Sequence, residues 1–168
     1  MKISLGLKNA ARVDLVRMLS LLLTDEYVLY ATTWDYHWQT GPECGGLQEE
    51  LATQYEQIAQ CIDEIATHTL NAGDGGHWAG LTKAVRSSAD RASGLTVERM
   101  LEDLLVMHDE IILQLHADTK ACTAEPKNAG TAAFLTDLTE QHESAVWILR
   151  AQLETMAEKT SQIHLLGT

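Results

Sequence analysis

The chain predicts an all-α fold, a single bundle of four long helices, on three observations. Its apolar residues, 45% of the total, are mostly Leu, Ala, Ile and Met, with one Phe and two Pro, a composition that favours helix over strand. Apolar positions recur at three- and four-residue steps in four separate runs. Gly and Pro concentrate between those runs instead of within them. At 168 residues, with no shift of composition along its length, the chain is expected to be one domain, 1–168, with a short N-terminal tail over about 1–9.

In the first run, Leu15, Leu19, Leu22 and Leu29 fall on one helical face, and the helix is expected from about Ala10 to Gln39, stopping at Gly41-Pro42. The second stripe is Leu47, Leu51, Tyr55, Ile58, Ile62 and Ala66; the cluster Gly73-Asp74-Gly75-Gly76 ends it. These two helices pair as an antiparallel hairpin. A long crossover follows, and His77 to Arg86 is expected to form a short extra helix within it. Thr96 is the expected N-cap of the third helix, with Glu98 in its first turn beside the positive end of the helix dipole. That helix carries Met100, Leu104, Met107 or His108, Ile111 and Leu115, and ends before Pro126. The fourth carries Phe134, Leu138, Ala145, Leu149, Leu153 and Met156. Four long helices with one long connection, between the second and third, describe a ferritin-like bundle and not a plain up-down one.

Charge narrows the partners. Twelve Lys plus Arg against 24 Asp plus Glu give a net charge of −12, which opposes broad contact with nucleic acid or an anionic membrane and concentrates cations. Cys44, Cys61 and Cys122 are odd in number and lack CxxC spacing, so no disulfide framework or zinc knuckle is expected, and a reducing, cytoplasmic setting fits. No segment reads as a signal peptide or a membrane span; Leu19 to Leu23 is interrupted by Asp25-Glu26. None of the seven histidines has a Glu three residues before it, so the Glu-x-x-His grip of a di-iron bundle is missing. Glu64 and His68, four apart, share a helix face, but a histidine near a helix C-terminus is also what the dipole favours.

The stretch Tyr36-His37-Trp38-Gln39-Thr40-Gly41-Pro42, followed by Gln54-Tyr55 through Asp63-Glu64, resembles the signature of the Dps family, the mini-ferritins. The resemblance extends to Met107-His108-Asp109-Glu110-Ile111-Ile112 and to Gly130 through Leu138 and on to Arg150, in order along nearly the whole chain. It implies a homo-oligomer, a dodecamer forming a hollow shell. It also implies iron as cargo, with Fe(II) bound between subunits, oxidised with hydrogen peroxide and stored as Fe(III) oxide, in protection against oxidative stress. In that family one subunit supplies a His before a Trp, a second His and an acid, and its neighbour supplies an Asp and a Glu. Those positions fall here on His37, Gln48 and Ala52, and on Asp63 and Thr67, so two of the five ligands are present. His37 and Asp63 are the candidate catalytic and metal-binding residues, and Gln48 is a weak third ligand through its amide oxygen. Glu49, Glu56 and Glu64 would serve only on differently turned helix faces.

Trp34, Tyr36 and Trp38 surround His37 in sequence, where the resemblance implies a sink for stray oxidising equivalents and ordinary packing is the commoner use. Nothing basic flanks Cys44, which reads as structural. Of the acids the family places at its three-fold pores, Asp137 is the main one here, since Asn128 and Ala133 stand at others. Lys2, Lys8, Arg12 and Arg17 against Asp14 make a short basic tail on an acidic chain, so DNA binding is expected to be weak or absent. Two other readings stay open. One is a structural shell whose ferroxidase centre has decayed. The other is a site for zinc or another divalent ion, involving His68 or His116.

Overall fold

The computed structural model describes residues 9–41, 44–73 and 94–166. Among them are four long helices: α1 (Asn9–Gln39), α2 (Gly45–Asn71), α3 (Val97–Thr123) and α4 (Ala129–Leu166), with a 3-10 turn, Pro126–Asn128, leading into α4. No strand occurs among the described residues. At 31 residues, α1 runs roughly 46 Å. The expected short helix at His77 to Arg86 and the tail at 1–8 lie outside the described residues.

The helices form where the apolar stripes place them, and each boundary has a local cause. Beyond Gln39 the amide of Thr40 still bonds the Tyr36 carbonyl at 2.8 Å before the chain bends at Gly41. At the end of α2 the amides of Ala72 and Gly73 cap the carbonyls of His68 and Leu70. Gly73 sits at φ +98°, and a Cβ there would also meet the Arg12 guanidinium at 3.2 Å, so only glycine suits this exit. Thr96 caps α3 as expected, its hydroxyl accepting from the Arg99 amide at 3.3 Å.

Helices α1 and α2 form one closely packed hairpin and α3 and α4 the other; α1 packs more lightly on α3, and α2 more lightly still on α4. The core between them is built from Leu15, Leu19, Leu22, Leu29, Leu51, Ile58, Ile65, Leu101, Leu104, Leu115, Leu135, Leu138 and Leu149, all buried. Buried threonines join this core because their hydroxyls return to the carbonyl one turn back, as Thr33, Thr69 and Thr139 do at 2.8–2.9 Å. At the ambiguous position of α3 the core takes His108, while Met107 is only partly buried.

Candidate functional site

His37 stands in the last turn of α1, where its ring meets the first turns of α2. Its Nδ1 lies 2.9 Å from the backbone carbonyl of Gln48. A carbonyl can only accept, so Nδ1 carries a proton, and in the neutral ring Nε2 is then the nitrogen that keeps its lone pair. This is how metal-binding imidazoles are commonly oriented: the nitrogen away from the ion is held by an acceptor. The Gln48 side chain turns toward the same helix end, its Nε2 donating weakly to the His37 carbonyl at 3.4 Å, a bond that does not engage its Oε1.

Two rings pack edge-on against His37, Trp38 at 4.9 Å between centroids and Tyr55 at 5.5 Å. Tyr55 in turn meets Tyr30 at 6.1 Å, and Trp34 meets Trp38 at 6.3 Å. Tyr36 is not part of this group, contrary to the sequence reading. It is 1% exposed on a different face of α1, and its hydroxyl donates to Asp103 Oδ2 at 2.7 Å. Adjacent residues on a helix point about 100° apart, so neighbours in sequence seldom share a face.

Asp63 is exposed on α2. It lies fifteen residues beyond Gln48 on the same helix, roughly 22 Å along the axis, so one chain does not bring His37 and Asp63 together. Among the described residues no group of three or more His, Cys, Asp or Glu side chains is gathered to hold a metal ion. Ala52 offers no donor, and the Thr67 hydroxyl is committed to the Asp63 carbonyl at 2.9 Å. Glu49, Glu56 and Glu64 are exposed. His68 stacks on Phe134 with centroids 4.0 Å apart, and burial depresses its basicity against the pull of Glu64, which marks it as a packing residue. His116 and Asp137 are exposed, and Cys44 is half-buried. No helix among the described residues is long and apolar enough to cross a membrane.

The ferritin-like domain family matches residues 16–158. The structure superposes on a mutant of Dps1 from Mycobacterium smegmatis with a TM-score of 0.75 at 21% identity, covering 88% of this chain and 99% of that one. It also superposes on Dps from Thermosynechococcus elongatus with a TM-score of 0.70 at 28% identity, covering 83% and 90%. The chain is a ferritin-like protein of the Dps family. Its sequence is also 30% identical over 156 residues to an uncharacterized low temperature-induced protein, all0458, of Nostoc sp., across 91% of this chain and 87% of that one.

The centre of this Dps-family bundle holds a polar cluster that the sequence reading missed. Glu26 of α1 is 0% exposed, and its Oε1 lies 2.8 Å from Nε2 of His142 on α4. His142 Nδ1 lies 2.9 Å from His108 Nδ1 on α3. The chain of contacts thus crosses the bundle, while Glu26 Oε2, His108 Nε2 and the nearby Gln54 Oε1 have no hydrogen-bond partner among the described residues. Burial first and the neighbouring His142 second push His108 down to about 3, so it is a neutral ring at ordinary pH. Burial, then Glu26 and Glu64, push the Cys61 thiol up to about 12, which makes it an unreactive thiol in the free protein. Asp25, next along α1, is raised by burial and then by Glu26 and Glu110.

A signal for the cluster was present in the sequence. Glu26 falls between Leu22 and Leu29, His108 between Leu104 and Ile111, and His142 between Leu138 and Ala145, each four residues after one core residue and three before the next. A polar residue at that register is buried if the helix is.

Proposed function

We propose that the protein binds Fe(II) at sites shared between neighbouring copies, oxidises it with hydrogen peroxide, and stores the product inside a closed dodecameric shell. The observation that carries this reading is His37, with Nδ1 held by the Gln48 carbonyl and Nε2 left as a ligand at a half-buried helix end. Asp63, exposed and too far along α2 to meet it within one chain, is supplied by the neighbouring copy. Gln48 Oε1 is the weak third donor, and water completes the sphere. Peroxide takes one electron from each of two Fe(II) ions and, with two protons, leaves as two waters, so no hydroxyl radical is released. Trp38 and Tyr55, which pack on His37, and Tyr30, which packs on Tyr55, would absorb stray oxidising equivalents. Assembly is supported by the large apolar side chains that one chain leaves in water, Val13, Leu21, Trp34, Trp38, Val106, Leu113 and Trp147 among them. The net charge of −12 per chain favours cations over DNA as the partner, and a cytoplasmic location fits the three unpaired cysteines.

A second reading, a shell without ferroxidase activity, is favoured by Ala52 and by the committed hydroxyl of Thr67. Anaerobic Fe(II) titration of the metal-free protein, followed by stoichiometric peroxide, separates the two. Saturable binding and Fe(III) absorbance that rises faster than in buffer, both lost in His37→Ala and in Asp63→Asn, are the expected results. A trace that matches buffer makes the silent shell the function.

A further inference from the structure

Between α2 and α4, where the bundle is most thinly packed, lies a small cavity of about 20 Å³ lined by Gln54, Gln57, Cys61, His108, Gln141 and His142, among others. That space suits one water molecule or one ion. Gln57 and Gln141 are exposed and form its rim. Two of the lining side chains, both almost wholly buried, carry a polar atom without a hydrogen-bond partner among the described residues, His108 Nε2 (1% exposed) and Gln54 Oε1 (2% exposed).

Proton inventory assigns what His108 presents to this space. A Glu26 carboxylate accepts, so His142 Nε2 carries hydrogen; a neutral His142 then accepts at Nδ1, so His108 donates from Nδ1 and keeps a lone pair at Nε2. In that arrangement a fully buried carboxylate has no positive charge to balance it. An extra proton on the relay supplies one, and so does a cation at His108 Nε2. The ring centroids of His108 and His142 are 5.1 Å apart. That is close to the sum of 2.9 Å and two ring radii of roughly 1.2 Å each, so the Nδ1 atoms point at each other as in a hydrogen bond, and neither is free for an ion.

We propose that this cavity binds one divalent transition ion of the zinc class, with His108 Nε2, Cys61 Sγ and the amide oxygens of Gln54 and Gln141 as ligands. Cys61 Sγ now lies 3.1 Å from Gln141 Oε1, to which its thiol donates; when the thiol proton leaves to solvent, sulfur and oxygen both turn to the ion. Glu26 and His142 act as positioning residues, orienting His108 through its far nitrogen in the manner of a carboxylate–histidine–metal triad. The charges close, since a divalent ion meets one thiolate and one carboxylate. Thiolate and imidazole select zinc-class ions over magnesium and calcium, and set this site apart from an oxygen-rich iron site. Only one His and one Cys among the ligands also explains why no cluster of three such side chains is found among the described residues.

The probe is Co(II), titrated into metal-free full-length protein carrying His37→Ala and Asp63→Ala, which removes the interface candidates. The expected result is saturation at one ion per chain, with tetrahedral visible bands and a thiolate-to-cobalt charge-transfer band, all displaced by Zn(II). Cys61→Ser should erase the charge-transfer band, and His108→Gln should weaken binding at least tenfold. The proposal is overturned by absence of the band in the parent, or by its persistence in Cys61→Ser. Should either core variant misfold, crystals of the parent grown with Zn(II) decide: an anomalous peak between His108 and Cys61 sustains the site, and none there removes it.

Discussion

Replacing His142 with Leu keeps the volume of the side chain and deletes both of its hydrogen bonds. Glu26, 0% exposed, then has neither oxygen partnered, because Oε2 already lacks a partner. Leaving a buried carboxylate without its remaining hydrogen-bond partner costs about 3–5 kcal/mol, and orphaning His108 Nδ1 adds about 1 kcal/mol or more. Roughly 4–6 kcal/mol is a large share of the total of about 5–15 kcal/mol for a domain. In a chain of this size it lowers the melting midpoint by roughly 10–20 °C. The assay is urea unfolding followed by circular dichroism, with chelator present and protein concentration fixed, because assembly shifts apparent stability. The double variant Glu26→Leu/His142→Leu removes the stranded charge and should recover most of the loss, since apolar replacement of a buried pair is often neutral. A loss under about 1 kcal/mol in His142→Leu, or no recovery in the double variant, would refute the reasoning.

Acid should weaken the metal-free protein through His108. Its folded value of about 3 lies below the ordinary 6.5, so between these the unfolded chain holds a proton that the folded one lacks, and stability falls as pH drops. The slope approaches about 1.4 kcal/mol per pH unit, partly offset by Asp25, whose raised carboxyl acts with the opposite sign. Urea midpoints measured between about pH 7 and pH 4 test this, and His108→Gln should flatten the curve. Tyr36→Phe removes the 2.7 Å bond to Asp103 and should cost about 1 kcal/mol in the same assay, with Fe(II) binding unchanged because Tyr36 faces away from His37. Gln48→Ala keeps the backbone carbonyl that orients His37, so Fe(II) affinity should fall by less than tenfold, against complete loss in His37→Ala; equal losses would give Gln48 a larger part.

Secondary structure was legible because it is a one-dimensional property of this chain. The apolar steps of Leu15–Leu29 and Leu47–Ile62, the breakers at Gly41 and Gly73, and the Thr96 cap are local signals, and the helices begin and end at them. The family was legible too, from segments in order. His37 and Asp63 could be named as candidates from the sequence, but which nitrogen of His37 is held follows from the Gln48 carbonyl, supplied by another helix. Tyr36 and His37, adjacent in sequence, part company because a helix turns them to different faces. The central relay depended on tertiary structure most of all. Glu26, Cys61, His108 and His142 come from four helices, and no spacing within one helix says that they meet. Periodicity fixes the side of a helix that is buried, whereas only the packing of four buried sides against one another decides which polar residues share a cavity and which atoms are left without partners.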